Sequence, residues 1–186
     1  MTGAVRYLID GYNLLHAMGL LGAAKGAPNP LAAARLDLLD RLHALFGDAS
    51  AQLTVVFDAR RVPRRGLPEL EYGGIHVRFA QRQEADDLIE TLVQNEPSPK
   101  SLTVVSDDHR IQVAARRRRC GVLGCNEFLD VAERQPPTSR AQTALPRNKP
   151  DAVSPEERQR WIDEFADLDS DPALRWLNPG VTEIDE

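Results

Sequence analysis

The 186-residue chain has only two cysteines, Cys120 and Cys125. That is too few for a disulfide framework, and with no histidine close by they make a poor zinc site. They read as small, buried, reduced thiols. No apolar run approaches the ~20 residues that a membrane span needs. The apolar stretch near the start is broken by Arg6, Asp10 and Asn13, which does not suit a secretory signal peptide. A cytoplasmic protein with no membrane partner is the expectation. Excess positive charge is missing too. The net charge is −5, with 17 basic and 17 acidic residues up to Gln135 but six basic and 11 acidic from Pro136 onward. The tail therefore carries the whole imbalance. Proteins that hold nucleic acid by bulk electrostatics are usually basic, so any such binding here has to be local.

Several phosphate-handling and hydrolytic motifs are also absent. No GxxxxGK[ST] loop is present, which argues against a P-loop nucleotidase. The first apolar run does not lead into GxGxxG, so a dinucleotide site is unsupported. An aspartyl-nucleophile phosphatase would place a second Asp two residues after Asp10, where this chain has Tyr12. The GxSxG elbow of a Ser–His–Asp hydrolase is lacking.

What is present is an alternation of strand and helix in a chain of ordinary globular composition, 42% hydrophobic and 27% charged. Ala4 to Ile9 reads as a strand stopping at Asp10-Gly11. Asn29-Pro30 offers a cap and a first-turn proline for a helix carrying Leu31, Leu38, Leu39, Leu42 and Phe46 and ending at Gly47. Gln52 to Phe57 is the next strand. Residues 59 to 73, with Pro63 and Pro68, read as an exposed loop. Ile75 to Phe79 alternates apolar residues with His76 and Arg78, a strand with one wetter face. Helices are expected over Glu84 to Gln94, His109 to Arg119 and Asn126 to Arg134, the last with Asn126 as a cap. Between them lie short strands at Leu102 to Val105 and Gly121 to Leu123. Apolar strands separated by helices imply a parallel sheet of about five strands, covered on both faces.

Such sheets bind ligands at the carboxyl ends of their strands, and three of the strands end on acids: Asp10, Asp58 and Asp107. Asp86 and Asp87 open the helix after the fourth strand, near the same rim. Each acid has a structural reading as a turn or cap; Asp107, for instance, could cap the helix that begins at His109. Together they point elsewhere. Two carboxylates ~5 Å apart at an effective dielectric of ~20 repel by roughly 3 kcal/mol, so several at one rim need a cation. Oxygen-only ligands favour Mg²⁺ or Mn²⁺ over zinc, and such an ion suits phosphate chemistry.

The segments YLIDGYNLLHA, FDAR, EADDLIE and TVVSDDHRI, in that order, resemble the NYN domain, specifically its YacP-like branch, within the PIN-like nuclease superfamily. The resemblance covers Val5 to Glu133. It implies a PIN-like three-layer α/β sandwich and a divalent-metal-dependent endoribonuclease. By position, Asp10 matches the first metal-site aspartate and Asn13 its polar companion. Asp86 and Asp87 match the acidic pair at the helix start, and Asp107 the acid after the next strand. Asp58 and Asp108 are further candidates. Adjacent positions on a helix point ~100° apart, so one of Asp86 and Asp87 should reach the ion and the other face away or act through water. Asn13 would orient a ligand, a water or a phosphate oxygen.

Arg60, Arg61, Arg64 and Arg65 follow Asp58 on the same rim and are the candidate RNA-binding groups, since guanidiniums grip phosphates bidentately. The run Arg116 to Arg119 falls at a helix C-terminus, where it complements the dipole. The domain reading is a nuclease domain over residues 1–135, a Pro-rich linker over 136–154 and an acidic tail over 155–186. The tail carries an amphipathic helix with Trp161, Ile162, Phe165 and Leu168, able to dock on its own domain, on a second copy in a homodimer, or on a protein partner. The leading function is endonucleolytic hydrolysis of single-stranded or messenger RNA. The alternatives are a non-catalytic RNA-binding adaptor and a metal-dependent phosphohydrolase acting on small nucleotides. Because the first 135 residues are electrically neutral, delivery by the ribosome or another RNA-bearing assembly is expected.

Overall fold

The computed structural model describes residues 5–23, 29–58, 69–80, 84–134 and 154–169. Its centre is a six-stranded sheet in the order β3-β4-β2-β1-β5-β6. The strands are β1 (Arg6–Asp10), β2 (Leu53–Asp58), β3 (Glu69–Tyr72), β4 (Ile75–Ala80), β5 (Leu102–Val105) and β6 (Gly121–Leu123). All neighbours run parallel except β3 and β4. The helices are α1 (Gly11–Ala17), α2 (Leu20–Ala23), α3 (Pro30–Phe46), α4 (Ala85–Gln94), α5 (His109–Arg117), α6 (Cys125–Arg134) and α7 (Pro155–Asp169). This is the expected α/β sandwich with a mainly parallel sheet.

The strand pleat sorts side chains into two cores. Tyr7, Ile9, Val55, Phe57, Val77, Phe79 and Val105 face α1, α3, α6 and α7. Leu8, Val56, Ala80 and Val104 face α4 and α5, meeting Ile89, Val93, Ile111 and Ala115. Alternate residues of one strand thus serve opposite layers, the period-2 rule of a covered sheet. The chain moves outward from β1 through β2 to β4, then returns to β5 on the other side of β1. That reversal creates a switch point at the carboxyl ends of β1 and β5, the place where open α/β sheets bind ligands.

Local signals act largely as read. Asn29 caps α3 by accepting from the Ala32 N–H at 3.3 Å, with Pro30 in the first turn. Gly47 closes the helix at φ 51°, a conformation glycine adopts freely. Arg118, from the arginine run, donates to the carbonyls of Val93 and Glu96 at the end of α4. Both cysteines are free and buried.

Four readings change. The segment taken as a loop to residue 73 contains β3, which forms a hairpin with β4 through Gly73 and Gly74 at φ 53° and 85°. Two successive left-handed residues suit the tight turn of a twisted hairpin. The acids Glu69 and Glu71 mask the alternation that brings Tyr72 to full burial. Second, the strand read as Ala4 to Ile9 spans Arg6–Asp10 and runs directly into α1, with Asp10 as the cap. Third, α6 starts at Cys125, whose N–H goes to Asp107, and the N–H of the preceding Gly124 goes to Glu127; neither goes to Asn126. Fourth, Asp108 and not Asp107 caps α5.

The tail helix α7 docks on the chain's own fold. Trp161 and Phe165 are buried in the core, and Phe165 packs edge-on against Phe57 and Phe79. The wholly buried Arg35 of α3 donates to the Phe165 carbonyl at 3.3 Å and to the Tyr12 hydroxyl. Asp40 accepts from Tyr72 and Arg158. The proposed linker lies almost wholly outside the described residues. Among the described residues no helix is long and apolar enough to cross a membrane.

Candidate active site

Asp10 stands at the end of β1 with a side chain on the α4–α5 face, in register with Val56 of β2. It is only 2% exposed. Its carboxylate accepts from the Asn13 backbone N–H at 3.1 Å, from the Asn13 side-chain amide, and from the Ser106 hydroxyl at 3.1 Å. Burial pushes the Asp10 carboxyl above its ordinary range, and these donors pull it partly back. Close approach of β1 and β2 under α1 is possible because residue 11 is glycine. A Cβ there would stand 2.4 Å from the Phe57 ring and 2.8 Å from the Val56 carbonyl oxygen.

Asp86, in the first turn of α4, lies within reach of the Asp10 charge. Its carboxyl is also raised, first by burial and then by the negative charges of Asp10 and Asp108, with Glu84 adding to them and Arg110 opposing. Its neighbour Asp87 points elsewhere and meets Arg110 Nη2 at 2.6 Å. The two members of the acidic pair therefore do different things. Helix geometry makes that necessary, and the tertiary arrangement decides which one faces Asp10.

The two acids after β5 also divide. Asp108 caps α5, accepting from the Arg110 and Ile111 N–H groups at 2.6 and 3.3 Å. Asp107 accepts from the Cys125 N–H at 2.9 Å and so anchors α6. The Cys125 thiol is pushed up to about 12, by burial and then by the charge of Asp107, with Asp10 contributing. It stays protonated and is no nucleophile. Asp58 ends β2 two residues beyond Val56, the partner of Asp10, and so lies on the same face one pleat further along. Arg60, Arg61, Arg64 and Arg65 lie outside the described residues.

Ser106 and Arg110 were not singled out by sequence reasoning. The Ser106 hydroxyl is fully buried, donates to Asp10 and accepts from the Asp108 N–H at 3.1 Å. It connects strand ends 96 positions apart in sequence, which no spacing rule detects. Asn13, expected to orient a ligand, a water or a phosphate oxygen, turns its amide N–H onto Asp10 and orients that carboxylate.

The chain carries a family resemblance that can now be set beside this geometry. The profile of the YacP-like NYN domain matches residues 7–165. The chain belongs to the YacP-like NYN family. The match runs into α7 as far as Phe165, in keeping with the burial of Trp161 and Phe165 in the same core. A crystal structure of a tryptophan-to-leucine variant of Rae1 (YacP) from Bacillus subtilis is similar at a TM-score of 0.51 and 27% identity, over 69% of this chain and 75% of that one. A second structure of Rae1 (YacP) from the same organism shares the fold at a TM-score of 0.50 and 20% identity, over 94% of this chain and 83% of that one. No curated protein matches. The YacP-like NYN family is of nuclease type and related to RNA.

Whether the YacP-like site suits a cation depends on its donors. Among the described residues, no group of three or more His, Cys, Asp or Glu side chains is gathered as a ready-made metal cage. Mg²⁺ does not require one. It keeps several waters and commonly takes one or two protein carboxylates together with substrate phosphate oxygens. Asp10 and Asp86 meet that requirement, are oxygen-only donors, and carry mutual repulsion that a cation relieves. A separate cavity of ≈ 270 Å³ lies by the opposite strand ends, lined by residues including Arg6, Thr54, His76 and Glu96. It is not part of the carboxylate site.

Proposed function

We propose that this chain is a divalent-metal-dependent endoribonuclease that hydrolyses RNA phosphodiester bonds, with Mg²⁺ or Mn²⁺ as cofactor and single-stranded or messenger RNA as substrate. The observation that carries the reading is the pairing of Asp10 and Asp86. Two carboxylates from different elements lie near enough at the sheet's switch point for the charge of Asp10 to act on Asp86, and both are held above their ordinary range by burial. A protein gains no stability from that arrangement, so it suits a bound cation.

The ion's contribution would be Lewis-acid polarisation of a phosphate oxygen and a bound water of lowered pKa. The chain's own groups do the positioning. Asp10 and Asp86 would hold the ion. Asn13 and Ser106 fix the Asp10 carboxylate through donors on two sides, so its oxygens are aimed before anything binds. Asp108 adds negative charge at the rim while securing α5, and Asp107 secures α6 beside it. No nucleophilic side chain is required, and Cys125 is unsuited to be one.

The neutral charge of the first 135 residues supports weak affinity for naked RNA and delivery by the ribosome or another RNA-bearing assembly. Free, buried cysteines suit a reducing cytoplasm. The deciding experiment is cleavage of a labelled single-stranded RNA by the full chain with Mn²⁺, Mg²⁺ or EDTA, beside Asp10→Asn and Asp86→Asn. Internal cuts that need the metal and vanish in both variants are expected. Metal-independent cutting, or undiminished cutting by both variants, would refute the reading. Neither cleavage nor Mn²⁺ binding by the wild type would favour the adaptor.

A further inference from the structure

Arg110 stands in the first turn of α5, two residues after the cap Asp108. Its guanidinium reaches across to α4. Nη2 donates to Asp87 Oδ1 at 2.6 Å, and Nε lies 2.6 Å from Glu90 Oε1. It is thereby held beside the start of α4, close enough for its charge to act on Asp86.

A simple tie between helices explains this poorly. The Arg110 side chain is 53% exposed and Asp87 42% exposed, and ion pairs that open to water contribute little stability. Two carboxylates nevertheless hold one guanidinium in a fixed pose. A guanidinium has five N–H donors, and the Nη1 pair has no acceptor among the described residues. The negative charges of Asp10, Asp108 and Glu84 all act on Asp86 beside it, a field that repels a polyanion. A substrate phosphate approaching this rim needs a fixed positive group as well as a metal ion.

We propose that Arg110 is a phosphate-binding residue of this site. Asp87 and Glu90 hold its guanidinium at the rim, and its outward N–H groups take a non-bridging oxygen of an RNA phosphate. Asp87 is then the holder of Arg110 and not a ligand of the ion. This inference rests on the endoribonuclease reading, and its test separates the two.

Binding of a short labelled single-stranded RNA is measured by fluorescence anisotropy in EDTA, from about 50 to about 200 mM salt. Arg110→Gln should weaken binding about tenfold and lower the slope of log affinity against log salt by about 0.7, the share of one phosphate on a single strand. Arg110→Lys should keep the slope and lose part of the affinity, because the charge stays and the fork is lost. By calorimetry, Asp87→Asn should bind Mn²⁺ as wild type does, whereas Asp86→Asn should not. An unchanged slope in Arg110→Gln, no RNA binding by wild type, or loss of Mn²⁺ binding in Asp87→Asn overturns the inference. A wild type that shows the slope effect and binds Mn²⁺ without cutting RNA refutes the nuclease reading and leaves phosphate binding by Arg110 standing. Metal-dependent cutting with a slope and KM unaffected by Arg110→Gln does the reverse.

Discussion

Replacing Phe165 by alanine asks whether α7 is part of the fold or an appendage. Phe165 is wholly buried, with ring centroids 5.9 Å from Phe57, 6.0 Å from Phe79 and 5.2 Å from Trp161. Its backbone carbonyl accepts from Arg35, a bond the substitution leaves in place. The variant therefore removes ring burial and leaves a cavity between α7 and the sheet. Phe→Ala changes of this kind cost about 3–5 kcal/mol. For a chain of this size each kcal/mol moves Tm by about 2–4 °C, so a fall of roughly 6–20 °C is expected. Calorimetry or circular dichroism gives Tm, and urea unfolding should show a lower midpoint with an unchanged m-value. A loss below about 1 kcal/mol would refute core docking of α7, since the aromatic contacts would then carry almost no energy. A Tm that rises with protein concentration would instead indicate docking on a second copy.

Asp10 shows the opposite trade between stability and activity. Its folded carboxyl is raised, so the folded state favours the proton, and this contribution to stability is lost as pH climbs from the ordinary Asp value of about 4 through the raised one. In EDTA, urea unfolding should show wild type losing stability relative to Asp10→Asn across that window, and a gap that widens the other way refutes the burial argument. Gly11→Ala forces a Cβ to within 2.4 Å of the Phe57 ring and 2.8 Å of the Val56 carbonyl. It should cost about 1–3 kcal/mol or more, read from the urea midpoint. Ser106→Ala removes a donor to Asp10 and the acceptor of the Asp108 N–H. It should cost about 1–3 kcal/mol and raise the Asp10 carboxyl further, so the pH profile of Mn²⁺ binding by calorimetry should move upward. A profile that stays in place would show that Ser106 does not act through Asp10.

Much of this was legible in the chain itself, because the relevant physics is local. Asn29-Pro30 starts α3 and Gly47 ends it through contacts within one turn. Continuous apolar strands announced a sheet covered on both faces, and the placing of Asp10, Asp58 and Asp107 at strand ends announced the rim. The hairpin strand β3 was hidden because a half-exposed edge strand carries acids at the positions where a buried strand would carry apolar residues.

Tertiary structure alone decided which member of each acidic pair faces the site. Adjacent residues in sequence are chemically equivalent until neighbours arrive. Arg110 holds Asp87 while the charge of Asp10 acts on Asp86, and the N-terminus of α6 occupies Asp107 while Asp108 caps α5. The Ser106 bond to Asp10 spans 96 positions and the Arg35 bond to Phe165 spans 130. Such contacts exist only because the chain reverses at β1 and because α7 returns to cover Phe57 and Phe79. Local spacing sets which groups are available at the rim, and long-range packing sets which of them meet.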